Sequence, residues 1–287
     1  MSNTTIFEHN GTSSAGVYIS SVITDGPFKK QLADHMSQTW NMTNINNVFL
    51  NSTRALLKFV SPQSPEEKMT KLLCLGKVQS GKTAFFISSI AMAFDNGYDI
   101  AYVIGGTKNN LLSQNTDRIL EELGDCEDIL IMDLNNANAD EIRNQTSNGC
   151  KVILMVLKHK SDTSETNLAN LEKLAVQLSD IPSVIVDDEG DERSPGDKKN
   201  KGKASNAILH AVKSIKRGTY MSVTATPQAN LLLTRLESLA PDDCVLVEPG
   251  IGYTGATVFH DTLDNPLITE VTDINDFEEG VPESFEE

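Results

Sequence analysis

The chain has 287 residues and a formal net charge of −16, with 39% hydrophobic and 22% charged residues. This composition is ordinary for a soluble globular protein of one large or two small domains. The sequence contains no apolar run of about 18 residues or more, and its N-terminus carries no basic segment followed by an apolar block. It therefore predicts neither a membrane span nor a secretory signal.

The acidity is concentrated towards the C-terminus. Residues 236–287 hold 14 acidic residues and no Lys or Arg, which leaves 24 basic and 26 acidic residues in 1–235. Because residues 1–235 are close to neutral, the net charge does not exclude a basic face that binds nucleic acid.

The four cysteines are widely separated and form no C-x-x-C pair. Such spacing favours reduced thiols in the core of a cytosolic protein over disulfides or a zinc site. They are Cys74, Cys126, Cys150 and Cys244.

Residues 1–69 are predicted to form an N-terminal extension. It is rich in Ser, Thr, Asn and Gly up to residue 27, and helical near 28–40 and 45–59, where apolar residues recur at three- and four-residue spacings. A Pro-containing linker over 61–67 ends it.

From residue 70 onward, short apolar strands alternate with helical segments. The predicted strands are 71–75, 100–104, 129–134, 151–157, 183–187 and 220–223, and the predicted helices are 84–94, 110–123, 167–178 and 204–216. This alternation predicts an α/β fold in which helices cover both faces of a parallel sheet. We expect the lobe to span residues 70–235 and an acidic segment to span 236–287.

A phosphate-binding loop lies between the first of these strands and its helix. Residues 76–83 match G-x-x-x-x-G-K-[ST] without a mismatch. The predicted nucleotide-binding residues are Gly76, Lys77, Val78, Gln79, Ser80, Gly81, Lys82 and Thr83. The two glycines permit a tight turn whose N–H groups point at phosphate oxygens, Lys82 reaches the β- and γ-phosphates of ATP, and the Thr83 hydroxyl binds Mg²⁺.

An acidic sequence ends the strand near 183–187. Asp188-Glu189-Gly190-Asp191 reads as a D-E-x-D motif, which assigns Asp188 to Mg²⁺ and Glu189 to the catalytic base that polarises the attacking water. The alternative is to read the motif one residue earlier, with Asp187 in the place of Asp188.

The strand near 220–223 ends in Thr224-Ala225-Thr226-Pro227. Thr224 and Thr226 are predicted to lie beside the acidic residues and to couple the state of the γ-phosphate to the rest of the chain.

In this order, the three motifs resemble motifs I, II and III of superfamily 2 helicases. The particular residues of these motifs are similar to those of the Z-one domain, a bacterial and phage family of endonuclease-associated ATPases from defence loci. Two further segments share the similarity, Gly105-Gly106-Thr107-Lys108-Asn109-Asn110 and Gly252-Tyr253-Thr254-Gly255. The resemblance covers about residues 70–260. It implies a single RecA-like P-loop lobe that uses ATP to move on nucleic acid.

By motif position, the resemblance also implies contacts with a DNA strand. Thr107, Lys108 and Asn110 would touch strand phosphates, and Lys158, at the end of another strand, would be a further contact. Superfamily 2 motors complete their site with an arginine finger from a second lobe. Since no arginine follows Arg235, we expect a second lobe, a nuclease or another defence protein to supply it.

Two other functions fit parts of the sequence. A nucleotide-dependent switch that controls a protein partner would need the P-loop, but it would not need to bind nucleic acid. A small-molecule kinase would use the same loop, but the acidic sequence followed by Thr-Ala-Thr and the lack of an Arg-rich lid argue against it.

Overall fold

The computed structural model describes residues 17–105, 109–124, 126–158, 167–190, 203–227 and 239–255. The helices are α1 (Pro27–Met36), α2 (Met42–Leu56), α3 (Lys82–Asp95), α4 (Asn109–Leu123), α5 (Ala139–Ser147), α6 (Asn167–Gln177) and α7 (Lys203–Ser214), with a short 3-10 helix at Leu134–Asn136. The strands are β1 (Lys68–Gly76), β2 (Ile100–Gly105), β3 (Ile129–Asp133), β4 (Lys151–Leu157), β5 (Ser183–Asp188), β6 (Arg217–Thr224) and β7 (Asp243–Val247).

Within the described residues, the seven strands form one sheet in the order β3-β4-β2-β5-β6-β1-β7. Every neighbouring pair is parallel. Strand β2 is buried along its whole length, as expected for an interior strand covered on both faces. The predicted α/β fold, a parallel sheet sandwiched by helices, is confirmed.

Successive strand residues point to opposite faces and into two separate cores. Val103 packs with helices α1 to α4, whereas Tyr102 packs with α5, α6 and α7. The P-loop helix α3 is apolar nearly all round, because it lies between the sheet and the N-terminal helices α1 and α2.

The N-terminal helices are joined to the end of α3. The Asp95 carboxylate accepts hydrogen bonds from the backbone N–H groups of Phe28 (3.1 Å) and Lys29 (2.9 Å), and so caps α1 from another helix. The Asn96 amide exchanges two hydrogen bonds with the backbone of Ile23. The extension predicted over 1–69 therefore contributes helices to the same core as the sheet.

The sheet continues past Arg235, where the sequence predicts the lobe to end. β7 pairs with β1 from Asp243 to Val247, and residues up to Gly250 form one compact unit. Residues 251–287 form a second unit, of which 251–255 are described.

The cysteines are all thiols, but only Cys74 and Cys126 are buried. Burial raises the pKa of the Cys74 thiol, and the nearby Cys244 raises it further. Cys244 itself is exposed on β7, so its prediction as a core residue is wrong. None of the described helices has the length and apolar character needed to cross a membrane.

Candidate nucleotide site

The P-loop leaves the carboxyl end of β1 at Gly76 and enters α3 at Lys82. Two of its residues adopt left-handed backbone conformations, Gln79 with φ of 56° and Gly81 with φ of 87°. Glycine accepts this conformation without cost, whereas glutamine does not. The first turn of α3 holds no acidic residue, so the partial positive charge at its N-terminus is not offset there.

Gly76 is required by close packing inside the loop. A Cβ at this position would lie 2.7 Å from Cγ of Lys82 and 2.9 Å from Oγ of Ser80. Lys82 turns back over the loop, and its Nζ donates to the carbonyl oxygen of Lys77 at 3.0 Å. The Ser80 hydroxyl is buried without a hydrogen-bond partner. The Ser80 hydroxyl and the Lys82 ammonium are donors of the kind that bind a phosphate group.

The acidic turn, residues 188–190, follows at the carboxyl end of β5. Asp188 is partly exposed and Glu189 is exposed with φ of 52°. The backbone N–H of Gly190 donates to the carbonyl of Val223 at 3.2 Å, and a Cβ on Gly190 would collide with Oγ of Ser222. The turn is therefore held directly against β6.

The direction of the side chains along β5 favours Asp188 over Asp187 as the predicted Mg²⁺ ligand. Val186 packs in the core on the α3 face, so Asp188, two residues on, points to the face that carries the P-loop. Asp187 is fully buried, and its Oδ1 lies 2.6 Å from Nζ of Lys158.

Strand β6 lies between the P-loop strand and the acidic strand. Val223 is paired with Cys74 of β1 on one side and with Asp188 of β5 on the other. Thr224, the next residue, is buried, and its Oγ1 accepts a hydrogen bond from the N–H of Thr226 at 2.9 Å. The topology thus brings the three predicted motifs to one edge of the sheet.

Lys158 is buried, whereas a contact with nucleic acid needs an accessible side chain. Its side chain is 1% exposed and is paired with Asp187. A buried ammonium that already has a carboxylate partner cannot bind a strand phosphate, so this prediction is corrected. The pairing could not be read from the sequence, because it joins the ends of two strands that are not adjacent in the sheet.

The other predicted nucleic-acid contacts stay predictions. Thr107 and Lys108 lie outside the described residues. Asn110 lies in the first turn of α4, where the structure describes the backbone alone.

No family model matches the chain, and no curated protein matches it. Among solved structures, it is similar to RecG bound to a three-way DNA junction (16% identity, TM-score 0.44), to the DUF1998 helicase MrfA bound to DNA (11%, 0.45) and to Mss116p bound to single-stranded RNA and AMP-PNP (12%, 0.42). The alignments cover 80%, 86% and 78% of this chain, but 27%, 31% and 45% of those chains. The chain thus spans less than half the length of each. The resemblance to the Z-one domain depends on the motifs alone.

Proposed function

We propose that the chain is the ATP-binding and ATP-hydrolysing RecA-like lobe of a superfamily 2-like motor that acts on nucleic acid. One observation carries the proposal: the P-loop and the acidic turn lie at the same sheet edge, with only β6 between them. Within the described residues, this edge also holds both non-glycine residues with positive φ, Gln79 and Glu189. Backbone strain of this kind is typical of functional sites.

The proposed roles follow from position and chemistry. Lys82 binds the β- and γ-phosphates of ATP, and Glu189 orients and polarises the attacking water. Thr83 and Asp188 would hold Mg²⁺, which neutralises charge on the phosphate oxygens when it is bound. Thr224 starts the turn beside this centre, and its hydrogen bond to Thr226 would couple a change at the γ-phosphate to the segment that follows β6.

The nucleic acid along which this motor would move is proposed to be DNA. The Z-one resemblance supports DNA, and it supports a nuclease-linked defence or restriction system as the setting. Under this proposal, a second RecA-like lobe or a partner protein contributes the arginine finger, which in phosphoryl transfer is worth several orders of magnitude in rate.

The test is ATP turnover by the purified chain, with and without single-stranded DNA, double-stranded DNA and single-stranded RNA. We expect turnover that nucleic acid stimulates and that falls about 100-fold or more in Lys82→Ala and Glu189→Gln. Lys213→Ala is the matched lysine control, since Lys213 is exposed in the last turn of α7. Turnover unchanged in Lys82→Ala would overturn the proposal.

One observation favours the second candidate, a nucleotide-dependent switch that controls a protein partner. Lys158, one of the four predicted strand contacts, is buried and paired with Asp187. Tight, Lys82-dependent ATP binding without any nucleic-acid affinity at low salt would favour the switch over the motor.

A further inference from the structure

A buried ionic cluster lies directly behind the acidic turn. It consists of Lys158 after β4, Asp187 in β5 and Tyr220 in β6, each at most 1% exposed. Nζ of Lys158 lies 2.6 Å from one oxygen of the Asp187 carboxylate, and the Tyr220 hydroxyl donates to the other at 2.6 Å. Both carboxylate oxygens are therefore engaged from within the protein.

Lys158 reaches this carboxylate across an intervening strand. β2 lies between β4 and β5, and it ends at Gly105, which is paired with Leu157. Lys158 is the residue after Leu157, and its side chain reaches past the end of β2 to Asp187.

The ammonium also holds the backbone of the acidic turn. Its Nζ donates to the carbonyl oxygen of Glu189 at 3.1 Å and to that of Asp188 at 3.4 Å. Glu189 has a left-handed φ of 52°, a conformation that costs a non-glycine residue free energy and must be stabilised by its surroundings. Lys158 provides such contacts at the two residues proposed to act on ATP.

Burial of an ion pair does not in itself explain this arrangement. Two charges removed from water lose solvation that their mutual attraction often fails to repay, so apolar residues would fill the same space at no loss of stability. Apolar residues could not donate hydrogen bonds to two carbonyl groups. The geometry points to Lys158, neutralised by Asp187, as a positioning residue that fixes Asp188 and Glu189 for ATP hydrolysis. This inference rests on the function proposed above.

The test removes the charges as a pair. Lys158→Met alone leaves a buried carboxylate without its counter-charge, so it should lower stability. Lys158→Met/Asp187→Asn removes both charges, and the new amide oxygen can still accept from Tyr220. We expect the double variant to regain most of the lost thermal stability and to bind ATP with a dissociation constant within about threefold of wild type, yet to turn over ATP about 10- to 100-fold more slowly, as for a misplaced catalytic group.

Two further variants separate positioning from general damage. Lys151→Met/Asp99→Asn removes a similar ion pair (2.7 Å) from the amino end of β4, and its turnover should stay within about twofold of wild type. Tyr220→Phe removes a donor to Asp187 but keeps the contacts from Nζ to the carbonyls. Its turnover should likewise stay close to wild type.

The outcomes distinguish this inference from the proposed function. Wild-type turnover in Lys158→Met/Asp187→Asn would overturn the positioning role while leaving the ATPase intact. Equal losses in Lys151→Met/Asp99→Asn or in Tyr220→Phe would also overturn it, because the effect would then not depend on the carbonyl contacts. A native chain without any Lys82-dependent turnover, with nucleic acid present, would contradict both.

Discussion

The two ends of β4 carry the same kind of ion pair in opposite settings. At the amino end, Lys151 pairs with Asp99 at 2.7 Å, with side chains that remain 14% and 30% exposed. At the carboxyl end, Lys158 pairs with Asp187 at 2.6 Å, with exposures of 1% and 0%. The first pair joins a strand to a neighbouring loop in contact with water. The second is fully desolvated, and it lies where the protein also holds the strained turn of Glu189.

The same contrast between the amino and carboxyl ends of the strands is seen beyond β4. Away from the site, the N-terminal helices are fixed by ordinary caps, as with Asp95 and Asn96 at the end of α3. At the carboxyl edge, two non-glycine residues take left-handed conformations, Gln79 in the P-loop and Glu189 in the acidic turn. Within the described residues, the strained non-glycine backbone thus lies at the carboxyl ends of the strands, as expected when strain serves a site.

The largest expected difference in stability is between the two lysines of β4. Lys158→Met should lower the free energy of unfolding by about 3–5 kcal/mol, because it leaves the Asp187 charge buried and uncompensated. Lys151→Met should cost about 1 kcal/mol or less, since water can solvate Asp99. Urea unfolding of both variants measures the difference. Equal losses would contradict the comparison.

A methyl group on Gly190 should produce the next largest effect. Gly190→Ala drives a Cβ into Oγ of Ser222, and overpacking of this kind costs about 1–3 kcal/mol. Turnover should fall as well, because the acidic turn must move off β6. Adding Ser222→Ala should restore part of both. Urea unfolding and ATP turnover provide the readout, and a Gly190→Ala chain as stable as wild type would show that the turn does not pack as described.

Loss of the α1 cap should affect stability alone. Asp95→Ala removes the acceptor of two backbone N–H groups and should cost about 1 kcal/mol in urea unfolding. ATP turnover at saturating nucleotide should not change, because Asp95 lies at the far end of α3 from the P-loop. A loss of turnover that accompanies the loss of stability would mean that the cap at the end of α3 and the nucleotide site are not independent.

The cap should also respond to pH. Burial raises the pKa of the Asp95 carboxyl, against the opposing effect of the backbone donors Lys29 and Phe28. A carboxyl whose folded-state pKa exceeds its unfolded value of about 3.9 binds its proton more tightly in the folded state. Its contribution to stability is therefore fully present below that unfolded value and declines as the pH rises through the raised folded pKa. The stability difference between wild type and Asp95→Ala should be larger at pH 4 than at pH 7, and a difference that grows with pH would contradict this sign.

The smallest expected effect is relief of strain in the P-loop. Gln79→Gly should stabilise the nucleotide-free chain by up to about 1 kcal/mol, since glycine accepts φ of 56° without the Cβ clash. Gln79→Asn should lie between the two, because asparagine tolerates this region better than glutamine. Thermal melts rank the three chains. A destabilised glycine variant would show that the side chain of Gln79 contributes more than its backbone costs.

Much of the fold could be predicted because its strands are continuous apolar runs. The sequence predicts β1 over 71–75 and its helix over 84–94, against Lys68–Gly76 and Lys82–Asp95 in the structure. The P-loop and the acidic turn could be found because their chemistry imposes a fixed order of residue types.

Other elements carry no comparable signal. β7 lies at the sheet edge, where Asp243, Cys244 and Leu246 are exposed, and its apolar run is only the four residues 244–247. α5 buries only Ile142, too little for a visible helical period. The contact of Lys158 with Asp187 joins residues far apart in the chain across β2, and a single sequence does not encode it in any local pattern.

If the P-loop and the acidic turn form one ATP-hydrolysing site, removal of the Glu189 carboxylate should block hydrolysis without blocking binding. Radiolabelled ATP is mixed with an excess of Glu189→Gln chain and nucleic acid, and its conversion is followed. We expect this variant to bind ATP as tightly as wild type and to retain it as ATP, whereas wild-type chains convert it to ADP and phosphate over the same time. Conversion at the wild-type rate by Glu189→Gln would show that the acidic turn does not act in hydrolysis.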